Sequence, residues 1–162
     1  MTDEHDSNTL PQVFLVLVDE TEDMKAALRY ACRRASSIGG TVALLATIKP
    51  PEFQHWLGVG QLMEEEHRAE AEAVLLKYAG QVLAISGRRP SLYLKEGRPL
   101  DGLLELVNED PSISFIVLGT APGRPTPNPL FSRFLALMDQ GLRIPITLVP
   151  GDLTNEQIDR LT

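Results

Sequence analysis

The chain has 162 residues, of which 43% are hydrophobic and 23% charged. This composition suits one folded domain and excludes a wholly disordered or collagen-like protein. The formal net charge of -7 at pH 7 gives nucleic acid no general attraction to the surface. The single cysteine, Cys32, excludes an internal disulfide and a cysteine-based zinc site. The N-terminus is acidic and no apolar run approaches ~18 residues, so we expect a cytoplasmic protein with no membrane contact.

Apolar runs of strand length alternate along the chain with helical patterns. After a polar N-terminal tail, residues 1–11, the run from Gln12 to Val18 is almost entirely β-branched and aliphatic, which is typical of a strand buried on both faces of a parallel sheet. The acidic turn that follows predicts a helix start, and Gly39-Gly40 predicts its end. The apolar positions of this helix are Met24, Ala27, Leu28, Ala31, Ala35 and Ile38. Thr41 to Ile48 is the second strand-length run.

A long second helix is predicted from Gln61 to about Ser86. We expect its core-facing stripe to consist of Leu62, Ala69, Ala73, Leu76, Gly80 and Leu83. The irregular segment before it contains Phe53, Trp56 and Leu57. These residues form either a lid or apolar wall over a ligand or, in the case of Trp56, an ordinary surface contact.

The second half of the chain continues the alternation. Three more strands are predicted, at Ser91 to Lys95, Ile113 to Leu118 and Ile146 to Val149. Two helices separate them, and we expect these to bury Leu100, Leu103, Leu104 and Val107, and then Phe131, Phe134, Leu135 and Met138. The domain then spans residues 12–151, and residues 152–162 form a tail or a short helix capped by Thr154.

Five strands and four helices in alternation predict a three-layer α/β/α sandwich with a five-stranded parallel sheet, because parallel neighbours need crossover connections. Ligands of such sheets bind beyond the carboxyl ends of the strands. The places to search are therefore Asp19, the segment after Ile48, the turn at Glu96-Gly97 and the loop from Gly119.

Two features at this edge allow two interpretations each. Asp19 either accepts hydrogen bonds from a ligand or caps the following helix, since both roles need the same residue. The loop from Gly119 to Pro129 either presents backbone N–H groups to a phosphate, with Arg124, Arg133 and Ser132 beside it, or is a stiff proline-rich surface loop.

Known catalytic motifs are absent from the sequence. It contains no P-loop, no serine-hydrolase elbow and no H-E-x-x-H pattern. The histidines, His5, His55 and His67, are scattered and are interpreted as surface residues. The acidic run at Glu64 to Glu66, together with Glu70 and Glu72, is interpreted as a solvated helix face. Cys32 is expected in the core. These observations favour a binding role over catalysis.

Five segments in order resemble the universal stress protein family over roughly Gln12 to Gly151. They are V-F-L-V-L-V-D-E-T at 13–21, G-G-T-V-A-L-L at 39–45, L-K-E-G-R-P-L-D-G-L-L at 94–104, F-I-V-L-G-T at 115–120 and I-P-I-T-L-V-P at 144–150. The resemblance implies a fold of the adenine nucleotide alpha hydrolase-like type. It also implies a homodimer that pairs the last strands, through Ile146, Thr147, Leu148 and Val149.

Many members of that family bind ATP through a carboxylate after the first strand and a loop of the form G-x-x-G, nine further residues, then G-[ST]. Asp19 matches the carboxylate and Gly119 the first glycine, whereas the second glycine is displaced by one residue to Gly123 and the final pair reads Phe131-Ser132. Because phenylalanine does not allow the close backbone approach that glycine does, the loop is a degraded version. The implied ATP site, with Mg²⁺ on the phosphates, consists of Asp19, Gly119, Thr120, Gly123 and Ser132.

The sequence therefore supports three hypotheses. The first is a cytoplasmic homodimer that acts as a binding or regulatory module in the stress response. The second is a weak nucleotide hydrolase or transferase that uses Asp19 and the loop from Gly119 to Gly123. The third is a sensor of a small molecule other than a nucleotide.

Overall fold

The computed structural model of the chain describes residues 10–48, 59–123, 129–139 and 141–162. Strands and helices alternate along these ranges. The strands are β1 (Val13–Leu17), β2 (Thr41–Ile48), β3 (Ser91–Glu96), β4 (Ile113–Thr120) and β5 (Ile146–Pro150). The helices are α1 (Glu22–Ile38), α2 (Val59–Ser86), α3 (Pro99–Glu109), α4 (Pro129–Met138) and α5 (Asn155–Leu161).

The strands form a five-stranded parallel sheet with the order β3-β2-β1-β4-β5. At its centre, Leu15 of β1 lies between Ala43 of β2 and Ile116 of β4. Every β1 residue from Phe14 to Leu17 is buried, as its continuous apolar sequence predicts. The fold class expected from the sequence is confirmed, and the strand order, which the sequence left open, places β3 and β5 at the two edges.

Successive β1 side chains point into two separate core layers. Phe14 and Val16 pack with α1, α2 and Ile158 of α5, whereas Leu15 and Leu17 pack with α3 and α4. Small residues on the buried face of α1, with Cys32 among them, let this helix lie close to the sheet. Burial raises the pKa of the Cys32 thiol to about 12, so the thiol stays protonated and unreactive, as expected of a core residue.

The buried face of α2 differs from the predicted one. Leu76 is 66% exposed, Leu62 is 62% exposed and Leu83 is 42% exposed, and Ala69, Ala73 and Gly80 are also exposed. Instead, the helix buries Leu75, Tyr78 and Val82. The prediction failed because α2 has two apolar stripes at helical spacing, and the one with the aromatic and β-branched side chains buries more apolar surface against the sheet.

The prediction for α4 is also partly wrong. Phe134 is buried and Phe131 half-buried, but Leu135 and Met138 are exposed. The helix α4 covers β4 and the edge strand β5, so only part of its apolar surface reaches the core. In α3, Leu100, Leu103 and Val107 are buried and Leu104 is half-buried.

The C-terminal helix α5 packs on the domain. Thr154 and Gln157 form a capping box at its N-terminus, and Ile158 is 0% exposed in the layer with α1. Arg29 of α1 donates two hydrogen bonds to the carboxylate of Asp159, at 2.9 and 2.8 Å. These bonds lower the pKa of Asp159, so their contribution to the attachment of α5 is lost when acid protonates this carboxylate. No helix in the described part of the chain is long and apolar enough to cross a membrane.

Candidate functional site

Asp19 follows β1 at the carboxyl edge of the sheet and controls the start of α1. Its Oδ1 accepts hydrogen bonds from the backbone N–H of Thr21 at 3.0 Å and from the Thr21 hydroxyl at 2.7 Å. The Thr21 hydroxyl oxygen in turn accepts from the backbone N–H of Met24, at 3.1 Å. Thr21 is thus the helix cap, and Asp19 is an exposed carboxylate that orients the cap.

The next residue, Glu20, is in a strained backbone conformation. Its φ of 61° lies in the left-handed region, and it is the one non-glycine residue with positive φ in the described ranges. This geometry costs roughly 1 kcal/mol for a residue with a side chain. The Glu20 carboxylate lies 3.6 Å from the Lys77 ammonium of α2. The loop from β1 to α1 therefore contacts both helices. Asp19 is hydrogen-bonded to the cap of α1, and Glu20 faces Lys77 of α2.

A cavity of about 370 Å³ opens between this loop, the end of β2 and α2. Its polar rim consists of Asp19, Glu20, His67 and Glu70, and its apolar wall of Val18, Ala46, Ile48, Ala71 and Val74. The volume is in the range of small-molecule sites. Because Lys77 faces Glu20, the carboxylates of Asp19 and Glu70 and one imidazole set the charge of the rim. The rim is therefore acidic, and a neutral or cationic group is favoured there over a polyphosphate.

A second, much smaller cavity of about 50 Å³ lies on the other side of Asp19. Its walls include Thr21 and Asp23 of α1, Gly119 of β4, Phe131 of α4 and Leu148 of β5. This space suits one or a few water molecules and no larger ligand. Phe131, at the position where the family pattern has a glycine, is thus one of the residues that line the crevice.

Gly119 is needed here for packing. A Cβ placed on it would overlap the backbone carbonyl of Asp23, in the first turn of α1. A Cβ placed on Gly151, just after β5, would overlap the side chain of the same Asp23 and lie 2.6 Å from the carbonyl oxygen of Thr120. The two glycines let the N-terminus of α1 lie directly on the ends of β4 and β5.

The structure brings together two of the five predicted site residues, Asp19 and Gly119, which line the same small cavity. Thr120 pairs with Pro150, and its carbonyl accepts from the N–H of Gly151 at 2.7 Å. Gly123 occupies an exposed turn at a φ of 82°, and Ser132 is exposed on α4. These three are not among the residues that line either cavity. Arg124, Phe53, Trp56 and Leu57 lie outside the described residues.

Sequence reasoning missed the α2 side of the larger cavity. His67 and Glu70 were interpreted as surface residues, yet both line it, beside Ala71 and Val74. A signal was present, because Ala71, Val74, Tyr78, Val82 and Ile85 form a second stripe at helical spacing. In the described ranges, no group of three His, Cys, Asp or Glu side chains is arranged to hold a metal ion.

Comparison with known proteins agrees with this geometry. Residues 12–135 match the model of the universal stress protein family. No curated protein sequence matches the chain. Among solved structures, universal stress protein UspA from Lactobacillus plantarum is similar over 88% of this chain and 99% of its own, with a TM-score of 0.68 and 17% identity.

Two similar structures contain nucleotides. A universal stress protein in complex with cAMP has a TM-score of 0.60 and 17% identity, over 87% of this chain and 98% of its own. A family protein from Arabidopsis thaliana with AMP bound has a TM-score of 0.59 and 16% identity, over 86% of this chain and 92% of its own. At these identities the likeness shows the fold. Because the family model covers most of the folded part, this chain belongs to the universal stress protein family.

Proposed function

We propose that this protein is a binding and regulatory module of the stress response, without catalysis of its own, that binds an adenine nucleoside or nucleoside monophosphate in the larger cavity. The observation that carries the proposal is the division of the crevice by Asp19. One side offers about 370 Å³ of walled space, and the other, where a longer phosphate chain would extend, offers about 50 Å³. The ligands AMP and cAMP of the two relatives each carry a single phosphate.

The chemistry of the larger cavity suits a nucleoside. Asp19 is an exposed acceptor on the rim of this cavity, and the hydroxyl groups of a ribose donate well to a carboxylate. Ala71 and Val74 provide an apolar surface for the flat face of a base. The acidic rim gives no charge-based attraction for a triphosphate, so any bound ATP would need Mg²⁺ on its phosphates.

Substitution of Asp19 by asparagine should lower the affinity for adenosine and AMP about tenfold, because a hydrogen bond to a charged acceptor contributes roughly 1.5 kcal/mol more than to a neutral one. Asparagine keeps an oxygen that can accept from Thr21, so α1 stays capped. Calorimetric titration with adenosine, AMP, cAMP and Mg-ATP measures the effect. Glu22→Gln is the matched control, since Glu22 is an exposed first-turn carboxylate that lines neither cavity. Equal affinities in the two variants, or no binding of any of the four ligands by the wild type, would contradict the proposal.

The proposed module is a cytoplasmic homodimer paired through β5. Support comes from the position of β5 at a sheet edge and from Leu148, which is 41% exposed on it. An open apolar edge strand is a template for pairing with another strand. Leu148→Lys should therefore abolish this pairing, since lysine on an edge strand opposes it, and light scattering after gel filtration should show the loss as a halved mass. An unchanged mass would rule out the β5 interface.

A further inference from the structure

The exposed face of α2 carries an apolar stripe, here called the α2 stripe: Leu62, Ala69, Ala73, Leu76, Gly80 and Leu83. From Ala69 onward its residues recur at alternating steps of four and three, which is the spacing of a coiled-coil seam. Nothing in the described part of the chain covers these side chains. Leucines that are 66% and 42% exposed one heptad apart on the same seam are more than scattered surface hydrophobics.

The order of large and small residues makes the α2 stripe complementary to itself. A two-fold axis midway between positions 76 and 80, with the helices antiparallel, sets Leu76 against Gly80 of the partner subunit. The same axis sets Ala73 against Leu83 of the partner subunit. Each layer then combines one large and one small side chain, which is knob-into-hole packing. The hole at Gly80 is open, because a Cβ placed there meets no atom within 4 Å.

Charges along α2 select the same antiparallel orientation. Glu64, Glu65 and Glu66 are exposed near the N-terminal end, and Arg88 and Arg89 are exposed just beyond the C-terminal end. Arg88 already donates to the carbonyl of Gly39 at 3.0 Å. Antiparallel pairing in this register brings Arg89 of each copy within one helical turn of the glutamates of the other, whereas parallel pairing sets like charges together. Arg68, the basic residue within the acidic stretch, is already engaged by Glu96 at 2.8 Å.

The apolar surface continues from the α2 stripe toward the sheet edge. A groove of about 300 Å³ runs between α2 and β3, lined by Leu75, Leu76, Leu92, Tyr93, Leu94 and Glu72. The exposed side chain of Leu92 extends the stripe onto β3. This surface lies at the β3 edge, opposite the β5 edge.

We propose that the α2 stripe is a second self-association surface, at which two copies of this chain pack their α2 helices antiparallel about a two-fold axis between Leu76 and Gly80. The contact is isologous, since the same patch serves both copies. Because it lies at the other edge of the sheet from β5, both interfaces can form at once, and homodimers joined through β5 would then assemble further through α2.

The test uses the full-length protein with Leu148→Lys in the background, so that the β5 contact does not contribute. Sedimentation velocity at micromolar to hundred-micromolar concentrations should show a dimer. Gly80→Gln should convert this dimer into a monomer, because the longer side chain fills the hole for Leu76 of the partner subunit. The same change meets open space in the single chain, so circular dichroism should show an intact fold. Leu161→Glu is the control, since Leu161 is about as exposed as Leu76 but lies on α5, outside the α2 stripe.

A charge exchange tests the antiparallel orientation. Glu65→Arg and Arg89→Glu should each weaken the dimer at least severalfold, and the two together should restore it, more clearly at low salt. A monomer in the Leu148→Lys background at all concentrations would overturn the proposal, and would leave the stripe to another partner or to residues 49–58. Persistence of the dimer in Gly80→Gln would overturn it equally. Neither result depends on whether β5 pairs or a nucleoside binds.

Discussion

Gly119→Ala should destabilise the protein by about 3 kcal/mol and lower its melting temperature by about 9 °C, as expected when a methyl group is forced into a closed contact in a domain of this size. The added Cβ would overlap the backbone carbonyl of Asp23. A backbone group cannot rotate aside as a side chain can, so the first turn of α1 must move. This movement shifts Thr21 and Asp19, and the variant should therefore also bind adenosine more weakly. Differential scanning calorimetry and titration measure the two effects.

Gly80→Ala is the matched control for this prediction. Gly80 is a helical glycine whose added Cβ meets nothing within 4 Å, so alanine should stabilise α2 by up to about 1 kcal/mol through its better helix propensity. Both variants add one methyl group, but Gly119→Ala should lower the stability of the protein and Gly80→Ala should raise it. If Gly119→Ala melts at the wild-type temperature in dilute solution, α1 does not pack as closely on β4 as described.

The two roles available to Gly119 show why the sequence predicts the fold better than the site. A glycine at the end of a strand serves a bound phosphate or a neighbouring helix equally well, and its own residue type does not distinguish them. The choice depends on Asp23, which is distant in sequence and reaches Gly119 only because β1 and β4 are neighbours in the sheet. The strands β1, β2 and β4 could be predicted without such information, because a strand that is buried on both faces has a continuous apolar sequence of its own.

The α2 side of the larger cavity depends on a choice between two stripes. Both stripes of α2 have helical spacing, and the sequence alone favoured the one with three leucines. The sheet selected Tyr78 and Val82 instead, and with that rotation of the helix His67 and Glu70 came to line the cavity. The place of Asp19 at the carboxyl edge of the sheet was predictable because it follows from the end of β1, independent of any helix orientation. The positive φ of Glu20 could not be predicted from the sequence, since asparagine or glycine is the usual residue in that conformation.

Phe131→Gly should increase the affinity for Mg-ATP about tenfold while leaving the affinity for adenosine within a factor of two. Phe131 lines the small cavity and is the third residue of α4, so its backbone N–H lies in the first turn, where N–H groups have no acceptor within the helix. Removal of the ring opens the path from Asp19 to these donors, and one or two charge-assisted hydrogen bonds to phosphate account for an effect of this size.

Leu135→Gly separates this effect from the loss of helix stability. Leu135 is exposed on the same helix and lines neither cavity, so glycine there lowers helix propensity without opening the crevice. Titration of both variants with adenosine and Mg-ATP compares the two ligands on each. A gain in Mg-ATP affinity in Phe131→Gly alone means that a single aromatic side chain excludes the longer phosphate chain. Equal changes in both variants would trace the effect to the weakened helix, and no change in either would mean that the acidic rim around Asp19 excludes ATP whatever stands at position 131.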